Sequence, residues 1–179
     1  MISKNMEAAI NEQIKWEFYS GYMYLSMAAY FDSLGLTGFA SWMRVQELEE
    51  RFHAQKFMTQ LVERGGKVKL APIDGPPTDW KSTLDVFEDS LKHEQGVTKR
   101  INDLMDLAQK EKDHAANIFI EWFVTEQVEE EASFGDVIAK LKLVDKTPGG
   151  LFMLDKDLAA RTFNPPETGF LKWAGEDMF

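Results

Sequence analysis

The 179-residue chain contains no cysteine. That removes disulfide scaffolds, thiolate zinc sites, cysteine-ligated iron–sulfur clusters and thiol nucleophiles together. No apolar run is long enough to span a bilayer, and the opening Met1-Ile2-Ser3-Lys4-Asn5-Met6-Glu7 lacks the apolar core of a signal peptide. The expectation is a cytoplasmic protein with no membrane partner. Positive charge is in deficit, with 20 Lys and Arg against 30 Asp and Glu and a formal charge of −10. Phosphate binding needs the opposite balance, so nucleic acid is not an expected partner. An acidic surface suits the gathering of cations. Proline is sparse. The six prolines fall at 72, 76, 77, 148, 165 and 166, leaving long uninterrupted segments that can be helical, since an interior proline costs a helix about 3 kcal/mol.

The remaining composition, 44% hydrophobic in 20.5 kDa, fits one domain with a substantial core. Four long helices are predicted at about 5–34, 38–65, 82–111 and 114–144. Gly35 and Gly65 suit the left-handed position past a helix end. Thr37 can cap the second helix, Ser82 and Asp85 resemble a capping box, and Asp113 can cap the fourth helix. Short links make the first and second helices, and the third and fourth, antiparallel hairpins. The second and third are joined by a connection of about sixteen residues, long by loop standards. A short fifth helix is predicted at about 151–161. The expected fold is all-α: a four-helix bundle with one long crossover and a short C-terminal fifth helix.

Periodicity singles out polar residues on apolar tracks. The first helix traces Ile10, Ile14, Glu17, Gly21, Tyr24, Ala28 and Phe31; the second traces Phe39, Met43, Gln46, Glu50, His53 and Phe57. The third traces Leu84, Phe87, Leu91, Glu94, Thr98, Ile101 and Met105. The fourth traces Ala116, Ile120, Phe123, Gln127, Glu130, Phe134, Val137 and Leu141. Each track is interrupted near its middle, and central positions meet at one height whichever way a helix runs. Glu17 precedes Glu50 and His53 by 33 and 36 residues, and Glu94 precedes Gln127 and Glu130 by the same 33 and 36. The two hairpins thus follow one plan.

Ionised carboxylates in a core either protonate or find a countercharge. Bases are scarce on these tracks, whereas four glutamates facing two dications sum to zero. Hard oxygen donors with one imidazole suit iron or manganese. A two-metal site is therefore expected from Glu17, Glu50, His53, Glu94 and Glu130. Glu50-x-x-His53 alone would be a weak signal, since such pairs arise by chance on charged helices. Five residues on four tracks at one height are a much stronger one.

The stretches Glu17-Phe18-Tyr19-Ser20, Glu49-Glu50-Arg51-Phe52-His53, Lys92-His93-Glu94-Gln95 and Trp122 through Glu131 resemble the ferritins, specifically the haem-free bacterial and archaeal type. The resemblance covers about residues 3 to 162, which makes 1–162 a ferritin-like diiron domain and 163–179 a tail. It implies a first iron site at Glu17, Glu50 and His53. A second lies at Glu50, Glu94 and Glu130, with Gln127 close by and Glu50 bridging. Tyr24 matches the tyrosine beside the family's diiron centre, where a phenol can supply an electron or hydrogen-bond a ligand; aromatic packing on the track explains it nearly as well. Glu49, Glu126 and Glu129 match a third iron site that shares Glu130, and a solvated acidic face explains them almost equally.

Departures narrow the class. Ser133 stands where a symmetric diiron oxidase would carry a second His, and with Gln127 in place of a second ligating group the second iron should be held more loosely. Arg51 occupies the position of a haem-ligating methionine, so no haem is expected. What the resemblance implies is a ferroxidase that oxidises Fe2+ to Fe3+ with dioxygen or hydrogen peroxide and stores ferric mineral. It also implies a hollow homo-oligomeric cage, most often of about 24 subunits. Two alternatives stay open on the residues themselves: a diiron oxidase or peroxidase that stores nothing, and a scaffold whose core acids are paired or protonated. The tail's aromatics (Phe163, Phe170, Trp173) could pack on the bundle, line a cage or bind another protein.

Overall fold

Ser3, Ser82 and Asp113 each stop the chain from fraying where a helix must begin. Their side-chain oxygens accept hydrogen bonds from the backbone N–H groups of Met6, Asp85 and Ala116, groups that have no partner within the helix. They open α1 (Lys4–Ser33), α3 (Thr83–Glu111) and α4 (His114–Val144). α2 (Thr37–Glu63) and α5 (Gly150–Leu158) complete the set. The structure is a computed structural model that describes residues 2–163. The expected tail, apart from Phe163, lies outside the described residues.

Gly35 and Gly65 take the left-handed conformation expected of them, at φ 73° and 75°. Two local expectations need correction. Thr37 is the first helical residue of α2 and caps nothing; Leu36 stands before it without a side-chain bond. The donors are met from another helix, since Asp155 Oδ1 of α5 accepts from Gly38 N at 2.8 Å and Phe39 N at 3.0 Å. Asp85 does not return to its own cap residue but accepts from Lys81 N, one position earlier, at 3.0 Å. α5 also ends at Leu158, short of the expected 161.

Contacts at the ends fix the topology. Ile2 N donates to Arg64 O, which brings the start of α1 to the end of α2. The crossover, residues 64–82, then runs back along α1: Asn11 bonds Lys67 and Lys69, Ser26 bonds Pro77, and Tyr30 bonds Trp80. α3 therefore starts near the end of α1 and finishes near its beginning, where Ser3 Oγ donates to Glu111. α4 returns antiparallel to α3 with which it packs, and α5 lies against α2 and α4. This is the expected bundle with one long crossover.

The core is divided in two. One apolar cluster holds Tyr24, Phe31, Phe39, Trp42, Phe87 and Phe134 with α5's Leu154 and Leu158. The other holds Ile10, Ile14, Phe57, Ile101, Ile120 and Phe123. Between them lies a buried band of Gln13, Glu17, Gln46, Glu50, His53, Glu94, Gln127 and Glu130. The tracks drawn for α1, α2 and α4 are buried throughout. The α3 track is rotated. Val86, Ser90, Val97, Leu104 and Ala108 are buried there, whereas Leu84, Leu91, Thr98 and Met105 are half-buried. Among the described residues no helix is long and apolar enough to cross a membrane.

Candidate metal centre

Each of the four long helices contributes to the band at mid-length. α1 supplies Glu17, α2 Glu50 and His53 one turn apart, α3 Glu94, and α4 Gln127 and Glu130. None of the six is more than 5% exposed. Glu17, Glu50 and His53 bring ligand atoms within 4.8 Å of one another. His53 Nδ1 lies 3.7 Å from Glu50 Oε2 and 3.9 Å from Glu17 Oε2. The other ring nitrogen looks the other way: Nε2 is 3.9 Å from Glu126 Oε1, and His53, Glu126 and Glu130 form a second such group.

Neutral donors aim these acids without neutralising them. Gln13 Nε2 donates to Glu17 Oε1 at 2.8 Å. Gln46 Nε2 donates to Glu130 Oε2 at 2.7 Å and, at 3.4 Å, to Glu50 Oε1. Glu94 takes the Tyr24 hydroxyl on Oε1 and the Gln127 amide on Oε2, the latter at 3.1 Å. Glu17 Oε2 is buried with no donor group of another residue type facing it, and the Glu17 carboxyl can otherwise only share a proton with the adjacent Glu50. A buried carboxylate oxygen without a donor is costly unless a cation meets it.

The electrostatics point the same way. Burial, then the neighbouring Glu50, pushes Glu17 well above the usual carboxylate range. Burial pushes Glu50 up likewise, reinforced by Glu94 and Glu130, and burial raises Glu94. Glu130 is pushed to about 8 by burial, Glu94 and Glu49. The Tyr24 phenol is raised by burial and by Glu94. Acids that repel one another in a buried band are the environment that a pair of dications reverses. The donor set, oxygens and one imidazole, fits iron or manganese.

The other expected acids are placed less uniformly. Glu126 joins His53 and Glu130, and burial raises its carboxyl. Glu49 is half-buried and receives a hydrogen bond from Arg161 Nη2. Glu129 is exposed and belongs to neither group. Gln127 presents its amide N–H2 to Glu94, so it acts here as a hydrogen-bond donor.

Several participants escaped the sequence. Gln13 was absent from the tracks, although Gln-x-x-x-Glu occurs at both 13/17 and 46/50, a spacing that puts an amide within reach of the acid. Arg161, beyond α5, carried no signal at all. His93 forms a 2.8 Å hydrogen bond with Ser20 Oγ beside Tyr24 and is lowered to about 4 by burial and by Arg100, so its ring is neutral at pH 7.

A family model described as the ferritin-like domain matches residues 7–144. The chain is 39% identical over 164 residues to a bacterial non-heme ferritin of Staphylococcus aureus (strain USA300), covering 92% of this chain and 99% of the relative. It is 40% identical, with the same coverage, to the bacterial non-heme ferritin of Staphylococcus haemolyticus. Among solved structures it resembles a closed form of the Archaeoglobus fulgidus ferritin engineered by site-directed mutagenesis. That match has a TM-score of 0.90 and 51% identity over 92% of this chain and 100% of the other. The open-pore ferritin of the same archaeon gives a TM-score of 0.89 and 51% identity over 90% and 100% of the two chains.

Proposed function

This chain belongs to the ferritin family, and on that footing we propose that its acid band is a ferroxidase centre serving iron storage. One observation carries the reading. Four buried glutamates and one imidazole converge from four helices with only neutral donors to orient the acids, and one carboxylate oxygen has no donor of another residue type. Two ferrous ions would relieve that arrangement, the first held by Glu17, Glu50 and His53, the second by Glu50, Glu94 and Glu130. Glu50 is then shared between them.

Iron is the substrate. Two Fe2+ give one electron each to dioxygen, which with two protons leaves as hydrogen peroxide. With peroxide as oxidant, two electrons and two protons give two waters. Holding both metals close converts a two-electron transfer into a single encounter, and the carboxylates stabilise the ferric charge that develops. Tyr24 and Gln127 fix both oxygens of Glu94, and Gln46 fixes Glu130. The second site lacks an imidazole of its own, Ser133 standing where one would be, so it should release Fe3+ more readily. Glu49, Glu126 and Glu129, with Glu130, are the proposed onward site toward the mineral.

Storage needs an enclosed volume, which one bundle cannot provide. We therefore propose a hollow cage of identical chains, about 24 by family precedent. Cytoplasmic iron chemistry is the setting we assign, with residues 1–162 acting as one domain.

The test is aerobic addition of excess Fe2+ to the assembled protein. A storage ferritin oxidises and retains far more than two or three irons per chain, in a particle much larger than 20.5 kDa. Oxidation that stops near site stoichiometry would assign the centre to a diiron oxidase, and no metal uptake would leave a scaffold.

A further inference from the structure

Arg161 lies just past the end of α5, outside the four helices that carry the acids, yet it reaches them. Its Nη1 donates to Gln46 Oε1 at 2.7 Å, its Nη2 donates to Glu49 Oε2, and its guanidinium stacks 4.1 Å from the Trp42 ring centroid. The geometry sets the orientation of Gln46. Because the guanidinium takes the amide oxygen, the amide N–H2 faces Glu130 and Glu50. A flipped amide would put its oxygen against two carboxylates and its N–H2 against a cation. The fork also occupies a Glu49 oxygen that a metal would need. The base from which Arg161 reaches is firmly held: Leu154 and Leu158 of α5 are core residues, and Asp155 bonds the start of α2.

We propose that Arg161 is a positioning residue that latches Glu49. It keeps this acid out of metal coordination until an incoming cation displaces the guanidinium, while holding the Gln46 amide on Glu130. Occupation of the site formed by Glu49, Glu126 and Glu129 with Glu130 thereby becomes the last and weakest metal-binding event. The inference rests on the reading of Glu49 as a third-site ligand.

Anaerobic Co2+ titration of the metal-free assembled protein, followed by calorimetry and visible absorption, separates the two. In Arg161→Ala the third event should tighten about tenfold relative to the first two, because a charge-assisted hydrogen bond no longer has to be broken. Arg161→Lys, which keeps the charge but loses the fork, should fall between. Glu49→Gln should abolish the event. A third event that depends on Glu49 but is equally tight or weaker in Arg161→Ala overturns the latch and leaves the third site standing. If no Co2+ event in either protein responds to Glu49→Gln, the third site and the latch fail together. Should Arg161→Ala not assemble, Arg161→Gln takes its place with the same expectation, since it too lacks the charge.

Discussion

Replacing Glu130 by Gln should stabilise the metal-free protein at pH 8 and leave it unchanged at pH 4. Glu130 is pushed from an ordinary 4.5 to about 8, chiefly by burial and then by Glu94 and Glu49. Below pH 4.5 the carboxyl is protonated in both folded and unfolded chains and costs nothing. Between 4.5 and 8 the folded chain keeps a proton that the unfolded chain has lost, so stability falls as pH rises. Above 8 the penalty is complete. At about 1.4 kcal/mol per pH unit it reaches on the order of 5 kcal/mol. The Gln carbonyl can still accept the bond that Gln46 donates at 2.7 Å, so the substitution removes the charge and little else. For a chain of this length, about 2–4 °C of melting temperature per kcal/mol converts the gain to roughly 10 °C or more. The assay is calorimetry in chelator at pH 4 and pH 8, repeated with a redox-inert dication. Metal should raise the wild-type melting temperature more than that of the variant, because it offsets the charge that the variant lacks. A metal-free Glu130→Gln protein that melts at or below wild type at pH 8 would refute the claim that this acid is buried under strain.

The double substitution Glu50→Ala with His53→Ala should abolish fast Fe2+ oxidation while the particle size by light scattering stays unchanged; unchanged initial rates would remove the site assignment. Gly38→Ala would place a Cβ 1.6 Å from Asp155 O, so α5 must shift, and a loss of about 3 kcal/mol or more is expected in thermal melts. Asp155→Ala should cost about 1–2 kcal/mol by leaving two N-terminal donors of α2 unmet. Tyr24→Phe should preserve Co2+ stoichiometry but weaken binding at the second site, since Glu94 loses its phenol partner; calorimetric titration reads both.

The sequence disclosed the fold and the acid band because both are periodic. On α1, α2 and α4 every position on the drawn track is buried, and the interrupting polar residues all land in the band. The apolar track of α3 lies to one side of its buried face, because Leu84, Leu91 and Met105 are apolar yet only half-buried, while Ser90 and Ala108, which carry little hydrophobic signal, face the core beside Val86, Val97 and Leu104. Non-local partners left no trace at all. Asp155 and Arg161 act on residues more than a hundred positions away, and no local rule predicts which helix end or which amide they meet. Thr37 is the complement of that failure, a good capping residue locally, displaced by a carboxylate arriving from α5. Gln13 and Gln46 fall between these cases, since their four-residue offset from Glu17 and Glu50 was readable once the acids were known to be buried.

Crystals grown without oxygen and soaked in ferrous salt test the central claim most directly. Two metal peaks should lie within the band, one against Glu17, Glu50 and His53 and one against Glu50, Glu94 and Glu130, with Glu50 touching both. Well-ordered acids with no metal density between them, or the same side chains turned away from one another in the loaded crystal, would contradict it.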